Sequence, residues 1–320
     1  MTRTGNRVAL AASAAMVAFT LLAGLFLAVG CGTAQVGKHL VSPFTGERVG
    51  SLNRVLAVKI DNIAQARPQT GLDKADIVYV LPVEGGLSRI LAIFSSHVPP
   101  VVGPVRSARE DDLELLRQFD RPAFAYSGAT PVLLPYVRRA QTVDLYAGTT
   151  SGYFRSASRV APYNLYAHTG QLLAQAGGAS RAGDIGFRFG AAPAGGQPTS
   201  TERVSYPAAS FAFTWSAAKG RWLISMDGTP AVTASHDQLS AATVVIQHTI
   251  VRTSRFLEYG SRPPYAQSTG SGTAVVLRNG KAYQARWSRP AADGGTSFTT
   301  ADGQPMTFAP GPVWVILTSR

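Results

Sequence analysis

Cysteine is all but missing from this chain: of 320 residues, only Cys31 carries a thiol. That excludes an intramolecular disulfide, a cysteine-rich zinc site and a catalytic cysteine in the body of the protein. A fold without disulfides has to rest on a buried core, and the length suits about two domains. Histidine is scarce as well. His39, His97, His168, His236 and His248 show no close metal-ligand spacing, so no metal is expected. The chain has no His-Glu-x-x-His run, no Gly-x-Ser-x-Gly elbow and no Gly-x-x-x-x-Gly-Lys-Ser/Thr loop. Those gaps remove the commonest hydrolase and nucleotide-binding signatures, and no cofactor is expected. Acidic residues are few, 18 against 30 Lys and Arg, and the formal charge is +12.

Charge of either sign is absent from Val8 to Val29, a continuous run of apolar and small residues preceded by Arg3 and Arg7. A short cationic region before an apolar segment is an export signal. Positive charge stays on the cytoplasmic side, so everything beyond the run is expected at the outer face of the membrane. Two anchors are compatible with this. The run reaches the roughly 20 residues that a membrane span requires. Alternatively, Ala28-Val29-Gly30-Cys31 resembles a lipobox, with Cys31 as the lipidation site and Ala28 where Leu is usual. The second reading also explains the single cysteine. Cleavage before Cys31 would leave 290 of the 320 residues.

Without Arg3 and Arg7 the formal charge is still +10. Outside a cell, such an excess favours anionic lipid headgroups, wall polymers or acidic proteins, whereas export argues against nucleic acid. The charge is spread along the chain in no polybasic block, so an Arg-rich and Ala-rich composition is the competing explanation.

Composition divides the chain into a signal segment at 1–30, a tether at 31–42, a first domain at 43–188, a linker at 189–201 rich in Ala, Gly and Pro, and a second domain at 202–320. In the first domain, 54–60, 77–83 and 89–95 are short aliphatic runs of strand type. Ser107 and Glu110 have the spacing of a capping box opening a helix. Thr130-Pro131 and Thr169 mark two more helix starts. An α+β domain, or an α/β domain with a mixed sheet, is expected there. The second domain reads as mostly β. Asn279-Gly280 between two alternating runs is a strong hairpin signal. Trp215, Trp222, Trp287 and Trp314 fall on expected strands, as core residues or as a sugar-stacking face.

Several ordered motifs resemble the YerB-like family of bacterial envelope lipoproteins. They are Val58-Lys-Ile-Asp-Asn62, Ala66-Arg-Pro-Gln-Thr-Gly-Leu72, Pro82-Val-Glu-Gly-Gly86, Gly103-Pro-Val-Arg-Ser-Ala-Arg109 and Tyr163-Asn-Leu-Tyr166, then Asn279-Gly-Lys281, Trp287-Ser-Arg289 and Pro310-Gly311 with Trp314. The resemblance implies a two-domain extracytoplasmic lipoprotein of unknown function, and no reaction.

Polar residues gather where the first-domain strands end: Asp61 and Asn62, Arg67, Glu84, then Arg106 and Arg109 at the expected helix start. Strand ends and helix N-termini are common ligand sites. A cation in a first helical turn opposes the helix dipole and needs an offset, either a bound anion clamped by Arg106 and Arg109 or an internal ion pair. These six residues are the ligand-binding candidates. The leading expectation is a non-catalytic binding or accessory protein of the cell envelope, held by a lipid anchor, with an anionic wall polymer or a wall-synthesis protein as partner. The alternative is a wall-directed glycan hydrolase or transferase using Asp61 and Glu84, and a third is a structural spacer.

Overall fold

Strands that are largely apolar on both faces need cover on both. Leu56–Asp61 (β1), Ile77–Pro82 (β2) and Ser88–Phe94 (β3) are of this kind, and nearly every residue in them is buried. The computed structural model describes residues 40–258 and 260–319. The apolar run at 8–29, Cys31 and most of the expected tether lie outside the described residues. Among the described residues, no helix is long and apolar enough to cross a membrane.

Two short strands follow, Ala123–Tyr126 (β4) and Val143–Tyr146 (β5). The second half adds Thr201–Tyr206 (β6), Ala209–Ser216 (β7), Arg221–Met226 (β8), Thr243–His248 (β9), Gly270–Arg278 (β10), Lys281–Arg289 (β11), Ser297–Thr300 (β12) and Val313–Thr318 (β13). One eleven-stranded mixed sheet runs Gln197–Pro198, β11, β10, β9, β13, β2, β3, β1, β4, β5, with β12 also on β11. The last strand, β13, is the join. It lies parallel to β9 on one side and to β2 on the other, and all six of its residues are buried. Residues on both sides of 189–201 therefore build the same sheet. That stretch itself carries Gln197–Pro198, paired with β11.

The pleat sends alternate residues to opposite faces. Leu56, Val58 and Ile60 pack with Phe211, Phe213, Trp222 and Ile224 of a second, antiparallel sheet built on β6, β7 and β8. Ala57, Leu91 and Val315 face Leu115, Phe119, Leu133 and Val137 on the other side. Trp222, Trp287 and Trp314 are buried core residues. At Asn279-Gly280 both residues have positive φ, 50° and 70°, and they close the β10–β11 hairpin in the register expected for that dipeptide.

Helix is sparser than expected: Glu110–Leu115 (α1), Leu134–Arg138 (α2) and Thr169–Gln175 (α3) have at most seven residues each. The first half is strand-dominated, with a mixed sheet and few helical residues, and is not clearly α+β; the second half is β-rich. α1 passes into a 3-10 turn at Leu116–Phe119 and stops because Asp120 takes φ 62° and Pro122 follows.

Candidate functional site

Asp61 ends β1, and Arg89 near the start of β3 pairs directly opposite it. Paired residues point to the same face, here the face covered by α1. Between them and α1 runs the segment 103–109. The Asp61 amide donates to Pro104 O, the Arg106 amide to Lys59 O and the Ser127 amide to Arg106 O, at 2.8–3.0 Å. This threading fixes where Arg106 and Arg109 begin.

The expected Ser107 cap is replaced by one based on Arg109. The Arg109 amide donates to Asp112 Oδ2 at 2.7 Å, the Asp112 amide donates to Arg109 O, and Ser107 Oγ instead faces Ser127 Oγ at 3.5 Å. Glu110, Asp111 and Asp112 then occupy the first turn, where acids favour the dipole. Lys59, fully buried in the middle of β1, meets Asp112 Oδ1 at 2.6 Å. Beside them Asp111 is buried with neither oxygen in hydrogen-bond geometry, although the Ala266 amide faces it. Burial raises Asp111 to about 7 against the pull of Lys59.

The Arg109 guanidinium is saturated from within. Nε lies 2.7 Å from Glu84 Oε1, Nη2 donates to Glu84 Oε2 at 3.0 Å and sits 3.2 Å from Glu258 Oε2, and Nη1 donates to Ala108 O. The Glu84 and Glu258 carboxyls meet at this guanidinium and titrate as a pair, each shifting the other. Burial pushes both carboxyls up. For Glu84 the bond from Glu258 and the Arg109 charge outweigh burial and bring it to about 2, whereas Glu258 is raised to about 7. Arg89 stands beside this pair with Nε and Nη1 buried and without hydrogen-bond partners. Burial, then the Arg109 charge, lower it to about 10.

Arg106 differs from Arg109. Its Nε pairs with Asp61 Oδ2 at 2.9 Å, while among the described residues its terminal nitrogens make no hydrogen bond, and a quarter of the side chain is exposed. Asn62 and Arg67 belong to a neighbouring network. Asn62 bonds Ser88 Oγ and Gln69, and Arg67 donates to Asn62 O at 2.6 Å and to Asp227 Oδ2 at 2.8 Å. Of the six candidates, the structure thus gathers Asp61, Glu84, Arg106 and Arg109 around α1 and turns Asn62 and Arg67 toward the β8 turn.

The cluster borders two openings of about 490 Å³ each. One lies beside Glu84, between Pro82–Gly86, Tyr206, Val251 and Arg262, and is mostly apolar. The other is more polar and is walled by Arg106, Ser127, Tyr146, Tyr153 and Arg155, with no acid in its lining. Glu258 is the residue that the sequence does not disclose. It is one acid in an irregular segment, 174 positions beyond Glu84 and 149 beyond Arg109, and no spacing links them. Arg155, in the lining of the polar opening, is an exposed strand arginine and carries no local sequence signal either.

Residues 44–182 match the profile described as the N-terminal domain of DUF3048, a protein of unknown function, and residues 202–315 match its C-terminal domain. Over 113 residues the chain is 43% identical to YerB of Bacillus subtilis (strain 168), named there as a candidate lipoprotein. The aligned stretch is 33% of this chain and spans about a third, 34%, of that relative's length. A crystal structure of the YerB protein from Bacillus subtilis superposes with a TM-score of 0.74 at 24% identity, over 88% of this chain and 97% of that one. That likeness concerns the fold.

Proposed function

From the premise that the chain belongs to the YerB-like family of paired DUF3048 domains, we propose that it is a lipid-anchored extracytoplasmic protein with a non-catalytic binding role in the cell envelope. Arg3, Arg7, the apolar run and the Ala28–Cys31 lipobox support the anchor and its orientation, as does the lipoprotein name of the partly aligned relative. Mass spectrometry of the membrane form tests it: a diacylated Cys31 at the N-terminus is expected, and an unmodified peptide spanning Gly30–Cys31 overturns it.

One observation carries the binding role. Asp61 and Glu84 are closed in ion pairs with Arg106 and Arg109, while among the described residues nothing bonds the outer nitrogens of Arg106, which face an opening with no acid in its lining. General acid–base or glycosidic chemistry needs an accessible carboxyl pair set apart around a substrate. This arrangement instead holds a guanidinium ready for an anion. The expected partner is an anionic wall polymer. Purified wall material and membranes should retain the full chain in detergent, and Arg106→Ala should reduce retention. Equal retention of both forms removes the site.

A further inference from the structure

We infer that the opening beside Arg106 is a sugar-phosphate site, with the anion held between Arg106 and Arg155 and a saccharide ring lying against Tyr146 and Tyr153. This rests on the envelope-binding reading above and names the chemistry of the same site. Tyr153 and Arg155 are two apart on a short strand, so both point to the cleft side. Arg155 donates through Nη1 to Asn164 Oδ1 at 2.7 Å. It is therefore oriented by a neutral amide and not neutralised, and among the described residues no carboxylate lies within ion-pair distance. Arg106 is held by Asp61 through Nε alone, leaving the outer edge of its guanidinium for a second oxyanion. Asp61 offsets Arg106, so Arg155 and a lining without an acid leave the cleft a net positive charge.

The ring walls are braced from behind. Tyr146 stacks on Tyr126 at 5.6 Å, and the Tyr153 phenol donates to Leu145 O. Gly148 packs so close to the Tyr146 ring that a Cβ there would fall 2.4 Å from it. Fixed, half-buried rings beside a hydroxyl, Ser127, suit the mixed apolar and hydroxyl faces of a sugar. A volume of about 490 Å³ falls in the range of small-ligand sites, roughly 300–1,000 Å³. An extended acidic peptide would ask for a longer groove.

Calorimetric titration of the full chain in detergent tests this with N-acetylglucosamine phosphate, inorganic phosphate, N-acetylglucosamine and hexaglutamate. The sugar phosphate should bind more tightly than any of the other three. Arg155→Ala should weaken it about tenfold and Arg155→Glu further, both melting like the wild type because Arg155 is exposed. No binding, equal binding by Arg155→Ala, or tighter binding of hexaglutamate overturns the inference. An oligomer of sugar-phosphate repeats and vesicles carrying a polyprenyl-linked sugar phosphate separate the two sources. Arg155-dependent retention of either one supports the site and names the source, and retention of neither overturns it. If wall material still captures the chain through Arg106 while no sugar phosphate binds, this inference fails and the envelope-binding reading stands. If sugar phosphate and one of these two sources bind while purified wall material and membranes do not capture the chain, the envelope-binding reading fails and the site stands.

Discussion

Lys59 and Asp112 form an ion pair at 2.6 Å with both side chains fully buried. The ammonium comes from the middle of a sheet strand and the carboxylate from the first turn of α1, so the pair pins α1 to the sheet. Asp112 is doubly used, because its second oxygen accepts the Arg109 amide. Removing the cation alone leaves a buried, uncompensated carboxylate. Lys59→Met is expected to cost about 3–5 kcal/mol. Lys59→Met combined with Asp112→Asn, which keeps an acceptor for Arg109, should recover part of that loss. Urea denaturation of the single and double variants measures both, and additive losses would show that the two residues do not interact.

The Glu84–Glu258 pair makes stability depend on pH in a direction opposite to ordinary acid denaturation. Glu258 rises from 4.5 to about 7 and Asp111 from 3.8 to about 7. Between those values the unfolded chain has released protons that the folded chain still holds, so stability falls as pH rises toward 7. Glu84, held at about 2, adds stability above 4.5 that is lost as pH falls from 4.5 toward 2. The melting temperature should therefore fall between pH 4.5 and 7. Glu258→Gln, which mimics the protonated carboxyl, should flatten that decline. A decline of equal slope in the variant would remove Glu258 from the account.

Gly280 closes the β10–β11 hairpin at φ 70°, and a Cβ there would lie 2.9 Å from the Trp215 ring. Both strain and contact oppose a side chain. Gly280→Ala is expected to cost about 1–2 kcal/mol. Gly303, at φ 81° with nothing within 4 Å of its Cβ position, separates the two effects. Gly303→Ala should cost less in thermal denaturation, since only the backbone term remains, and equal losses would discount the Trp215 contact.

That hairpin was readable in advance because Asn-Gly specifies its own turn. β1, β2 and β3 were readable for a similar reason: a short, largely aliphatic run bounded by polar residues leaves few alternatives, even with Lys59 inside β1. The position of β13 was not. Its apolar residues announce burial on both faces, yet burial does not name neighbours, and only the tertiary structure seats it between β9 and β2. The same limit governs the site. Arg106 and Arg109 stood out against the expected helix dipole, and ion pairing with Asp61 and Glu84 was one of the two answers that the sequence left open. Their unequal state depends on Glu258, which saturates Arg109 from a distant segment and has no counterpart at Arg106. The cap failed locally, because Ser107 lies in the extended threading segment and the helix begins after Arg109.

Glu110 and Glu114, one helical turn apart on α1, hold the two ends of a single distal segment. Glu110 accepts from Ser254 Oγ at 2.6 Å and the Arg255 amide at 3.0 Å, and pairs with Arg255 Nε. Glu114 accepts from the amides and hydroxyls of Ser268 and Thr269 at 2.7–3.1 Å. Burial raises the Glu114 carboxyl, but these donors outweigh it and the net shift is downward. Its contribution is therefore present above the ordinary value of 4.5 and is lost as pH falls through the depressed one. Glu114→Gln keeps one acceptor and turns the other into a donor facing donors. A loss of about 1–3 kcal/mol is expected, together with faster hydrogen exchange at the Ser268 and Thr269 amides. Because Glu258 lies between the two clamped ends, loosening one end should also weaken its hold on Arg109. The stability decline between pH 4.5 and 7 should then become shallower in Glu114→Gln, as it does in Glu258→Gln. A variant that loses stability at pH 7 but keeps the wild-type decline would show that the clamp and the carboxyl pair act independently.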